Sequence, residues 1–115
     1  MTVATAAFAD VVSLLNELTH DDPNINTKSP HGTFWQNKSR TQFLAIRTDN
    51  WGVPGALVTP GEPLTSNLYL ALSGKAPFDG SKLPQMPDTK RYPRARHATA
   101  EELAIVAAWI TSGCP

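Results

Sequence analysis

The sequence predicts an all-α domain of about four helices joined by long Pro/Gly-rich loops. Three observations predict it. Apolar residues recur at helical spacing near both ends of the chain, in 4–19 and in 99–112. Ten prolines and seven glycines fall mostly between those ends. Two pairs, Ser39 with Gln42 and Thr99 with Glu102, have the spacing of capping boxes, in which a hydroxyl and a carboxylate or amide satisfy the first free N–H groups of a helix. With 115 residues, the chain is read as a single domain, 1–115, with one modest core.

In residues 4–19, Phe8, Val11, Val12, Leu15 and Leu18 gather on one helix face. Asp21, Asp22 and Pro23 are expected to stop that helix, because proline cannot continue it and restricts the residue before it. The polar loop 20–38 contains Phe34-Trp35, and so bulky an aromatic pair predicts that the loop folds back onto the core. Residues 39–47 read as a short helix with Phe43 and Ile46 inward, and 48–63 as turns and extended chain with Trp51, Val53, Leu57 and Val58 covering the core. The third helix is expected over 65–73, with Thr65 or Ser66 as N-cap and Gly74 just past its end. A loop over 75–98 carries Met86 and a basic stretch from Lys90 to His97, read as solvated. The last helix, 99–112, should bury Leu103, Val106, Ala107 and Ile110, with Trp109 at the edge of that stripe.

Composition narrows the function. Ten acids balance ten bases, so no nucleic-acid partner is expected, and no run of about 18 apolar residues exists to span a membrane. The N-terminus has no basic segment of the secretory kind, so a cytoplasmic location is expected, or a periplasmic one if a leader has been removed. The single cysteine, Cys114, cannot form an internal disulfide, although an oxidising setting would let it bridge two chains. Neither Cys114 nor Ser29 has the accompanying residues of a nucleophile, and Glu101-Glu102 are explained by helix capping. No catalytic residues are assigned, and the chain is not expected to be an enzyme.

An ordered set of segments then stands out: Pro60-Gly61-Glu62-Pro63, the run from Ser66 to Gly74, Met86-Pro87, Thr99 to Leu103, and Trp109 to Pro115. Over about residues 25–115 this set resembles cytochrome c-like domains of the class I fold. In that family a Cys-x-x-Cys-His motif after the first helix holds haem through two thioethers and an axial histidine, and a Met-Pro loop offers sulfur from the other side. His31-Gly32 stands at the His-Gly position, but the cysteine positions hold Thr27 and Pro30, neither of which can form a thioether. The chain is also similar to a small bacterial group with His-Gly-x-Phe-Trp here.

The resemblance implies a cytochrome c-like fold without covalent haem. The leading expectation is a haem-free accessory or protein-interaction module with a protein partner of unknown identity, in which Phe34 and Trp35 fill the former pocket and Met86 fills a gap in the core. A cytoplasmic location agrees, since the resemblance implies that c-type cytochromes mature elsewhere. The alternative is an electron-transfer or haem-sensing protein that binds haem non-covalently, with His31 and Met86 as axial ligands. A weaker alternative is a small transition-metal protein using His20, His31, His97 and Met86, although these do not have a recognised ligand spacing.

Overall fold

A computed structural model of the chain describes residues 7–20, 34–49, 53–90, 92 and 94–115. Among the described residues, four α-helices account for the regular structure: α1 (Phe8–Thr19), α2 (Arg40–Leu44), α3 (Asn67–Ser73) and α4 (Ala100–Thr111). A 3₁₀ turn over Pro63–Thr65 precedes α3. Among the described residues there is no strand, only an isolated antiparallel bridge between Arg47 and Ala56. The domain is all-α, as the periodicity predicts. Expectations for His31 and Trp51 lie outside the described residues.

The expected first helix is shortened. Ala7 is extended, and its N–H donates to the Asp10 carboxylate at 2.8 Å, so the helix begins at Phe8. It ends at Thr19, where His20 takes a left-handed conformation (φ 49°) and closes the end with its own N–H on the Glu17 carbonyl; the expected breakers Asp21, Asp22 and Pro23 lie outside the described residues. Val11, Leu14, Leu15 and Leu18 are buried, so the inward face is the predicted one with Leu14 added.

The two capping boxes form as the sequence indicates. Gln42 N–H donates to Ser39 Oγ, and Ser39 N–H to the Gln42 side chain. Thr99 and Glu102 exchange the same pair of bonds at the head of α4. The expected cap of α3 does not form. Ser66 is at the N-cap position, but its hydroxyl accepts from Thr59 N–H at 2.8 Å and donates to the Glu62 carbonyl at 2.9 Å. That hydroxyl ties the preceding turn together instead of capping the helix. Upstream, the 48–55 turn is closed by Thr48 N–H on the Gly55 carbonyl, and buried Asn67 reaches into it, donating to Thr48 Oγ1 at 2.8 Å.

The largest correction concerns Trp109. It is fully buried, at the centre of the core and not at its edge. Its ring lies 6.1 Å from Phe43 and 6.3 Å from Phe8, while Phe8 and Phe43 are 5.2 Å apart. This cluster joins α1, α2 and α4. Phe8 N–H donates to the Pro115 carbonyl, whereas Glu17 at the other end of α1 lies beside Arg96, which also holds Glu102. α1 and α4 therefore run in opposite directions across the core. Cys114 is wholly buried in the same cluster, and burial pushes its thiol up. An intermolecular disulfide would need that segment to leave the core.

Phe43→Ala removes a fully buried ring from the junction of three helices and is expected to cost about 3–5 kcal/mol, a large part of the stability of such a domain. Urea unfolding followed by circular dichroism measures it. A loss under about 1 kcal/mol would mean that the ring is not held as described.

Candidate functional site

Met86 and the pair Phe34-Trp35 are the predicted site residues that the described chain contains. α3 decides how they relate. Leu68 and Leu72 on one side of this helix join the main core, with Tyr69 packed against it. Leu70 and Ala71 on another side join a second, smaller cluster made with Val53, Phe78, Leu83 and Met86. In a helix of 100° per residue these two sets diverge widely, so α3 stands as a wall between the clusters.

The loop that carries Met86 is fastened to that second side. Met86 N–H donates to the Ala71 carbonyl at 2.9 Å, and Gln85 Nε2 to the Leu72 carbonyl at 3.0 Å. Both acceptors are end carbonyls of α3, which lack partners inside the helix. Gly74 makes this approach feasible. It is left-handed (φ 70°), and a Cβ there would stand 2.9 Å from the Gln85 side chain. Gly80 N–H on Leu83 and Leu83 N–H on Pro77 close the rest of the loop over Phe78.

Phe34 and Trp35 belong to the main core. Trp35 is buried to 3% exposure, meets Phe34 edge-on at 4.9 Å, and Phe34 stacks on Phe43 at 6.0 Å. The indole N–H of Trp35 donates to Asn16 Oδ1 at 2.7 Å, and Gln36 Nε2 donates to the same oxygen at 3.0 Å. Asn16 thus anchors the loop to α1. Asn16 lies outside the apolar stripe predicted for the first helix, and no local pattern reveals a partner 19 residues away.

Among the described residues, two buried polar atoms, Trp109 Nε1 and Tyr92 Oη, have no hydrogen-bond partner. Such atoms are uncommon in folded chains. Trp109 is flanked by the Phe8 and Phe43 rings.

Met86 packs in the second cluster, while Phe34 and Trp35 fill the first; the other candidate haem ligand, His31, lies outside the described residues. Of the metal-ligand candidates, His20 and His97 are exposed, and the described residues contain no group of three His, Cys, Asp or Glu able to hold an ion. Also among the described residues, no helix is long and apolar enough to cross a membrane.

The basic stretch is more than a solvated loop. Tyr92 and Ala95 are buried, and Arg96 N–H donates to the Leu18 carbonyl at 2.8 Å. The Arg96 guanidinium grips the Glu102 carboxylate through two nitrogens, at 2.6 and 2.8 Å, with Glu17 at 3.5 Å. Arg94 reaches the His20 carbonyl at 3.4 Å. Two cations thus sit at the negative end of α1. The Arg96 guanidinium, with the Thr99 N–H behind it, holds the Glu102 carboxyl down to about 2, against an ordinary value of 4.5.

Because the folded value is the lower one, the stabilisation from Glu102 is fully present above pH 4.5 and is lost as pH falls through about 2. Glu102→Gln should flatten the dependence of melting temperature on pH across that window and cost about 1 kcal/mol at neutral pH. Melting curves of both proteins between these limits check it; parallel curves would count against the pair.

In comparisons with protein-family models, with curated proteins and with solved structures, nothing matches this chain.

Proposed function

We propose that the chain is a haem-free domain with a cytochrome c-like fold, acting as an accessory or protein-interaction module. The observation that carries this reading is the separation across α3: Met86 is fastened to one side, and Phe34 and Trp35 are built into an aromatic block on the other. Thr27 and Pro30 support it, since they stand where the resemblance expects thioether cysteines. The order of elements supports the fold: a first helix, a Pro/Gly segment, a short helix ended by glycine, a Met-Pro loop and a final helix. No catalytic role is proposed for any residue. The work of such a module is to present a surface to another protein, and a cytoplasmic location goes with the lack of haem attachment.

The test is the visible spectrum of the full chain, expressed with a haem supply, purified, and titrated afterwards with hemin. The expected result is a colourless protein that melts cooperatively and gains no stoichiometric Soret band. A stoichiometric band lost in His31→Ala or Met86→Ala would overturn the reading and make this a non-covalent haem protein.

A further inference from the structure

The outward side of α4 differs from that of the other long helix. Of its twelve residues only Glu101, Glu102 and Thr111 are polar, and Glu102 is engaged by Arg96 and Thr99. Ile105 remains 43% exposed, and Glu101, Ala108 and Ser112 are exposed with it. Steps of four, three and four residues set these side chains in one stripe along the helix. A helix with apolar residues on nearly all sides is ordinarily a covered one.

The stripe is complementary to itself. Reversed about its midpoint, between Ile105 and Ala108, it brings Ile105 onto Ala108 and Glu101 onto Ser112. Two antiparallel copies related by a two-fold axis would therefore seat each branched side chain against the other copy's small one, which is the self-matching geometry of an isologous dimer. Charge selects the same orientation. At the C-terminal end of α4 stands Arg40, exposed, its guanidinium donating to the Cys114 carbonyl and, at 3.5 Å, to that of Gly113. Antiparallel pairing puts Glu101 at the head of one helix beside this cation at the tail of the other. Parallel pairing would set the two Glu101 side chains together.

We propose that this stripe of α4 is a homodimer face, occupied by a second copy of the chain, with Ile105–Ala108 pairs at its centre and Glu101–Arg40 pairs at its ends. The inference is independent of the haem-free reading, and either holds without the other. One helix stripe is a contact at the low end of specific interfaces, so association is weak.

Analytical ultracentrifugation of the full chain, from micromolar to about millimolar concentration, tests it. The expected mass rises with concentration from the 12.4 kDa monomer towards twice that value. Ile105→Glu should weaken association by about tenfold or more without altering the melting temperature of the monomer. Glu101→Arg should weaken it too, and Arg40→Glu in the same chain should restore it. A chain that stays monomeric throughout, as it would if a different protein covers this face, overturns the proposal. So does a dimer indifferent to Ile105→Glu, and one indifferent to Glu101→Arg overturns the antiparallel register.

Discussion

The packing of the first helix against the last, through Phe8, Phe43 and Trp109, is the contact on which the rest of the structure depends. Neither helix is long; each has twelve residues, near the length at which an isolated helix is marginal in water. What holds them is the apolar area that each removes from solvent at the other's expense of exposure, and Trp109, with no exposed surface, contributes the largest single share. Both ends of the crossing are then fixed by polar contacts. At one end Phe8 N–H meets the Pro115 carbonyl; at the other Arg96 draws Glu17 and Glu102 together. Loops, short helices and the aromatic pair 34–35 are arranged around that antiparallel frame.

Where the long connections are described, several of their donors are satisfied at helix ends. The segment 85–86 uses carbonyls of α3, Arg94 and Arg96 use those closing α1, and Arg40 uses those following α4. Each helix end leaves carbonyls without internal partners. A loop that supplies donors to them gains fixed bonds and removes the cost of burying an unpaired group. These segments attach both through backbone N–H groups, those of Met86 and Arg96, and through arginine and glutamine side chains.

What was legible in the sequence follows from range. The all-α class, the caps at Ser39 and Thr99 and the left-handed Gly74 depend on residues within a turn of one another, and spacing reveals them. Trp109 was misplaced because α4 is apolar on most sides, so periodicity fixes the helix but not its rotation. Ser66 has the right residue type for a cap, yet a turn seven residues away competes for the same hydroxyl. Asn16, Arg94 and Arg96 act across the chain, and no local pattern encodes such partners. Of the site, Phe34-Trp35 announced burial by their bulk, whereas the separation of Met86 from them arises only when α3 is seen with both its sides in use.

That wall has a consequence for motion. The second cluster rests on three buried residues, Val53, Ala71 and Phe78, whereas the main one gathers side chains from all four helices. Opening the 75–87 segment would break the bonds to Ala71 and Leu72 and expose a little apolar surface, while leaving the α1–α4 crossing untouched. Free energies of opening scale with what is lost, so this segment forms a separate, weaker unit of cooperativity. On that basis its amides should exchange with solvent through local excursions and those of α4 through unfolding of the main core, with Met86 in the part of the molecule that meets water first.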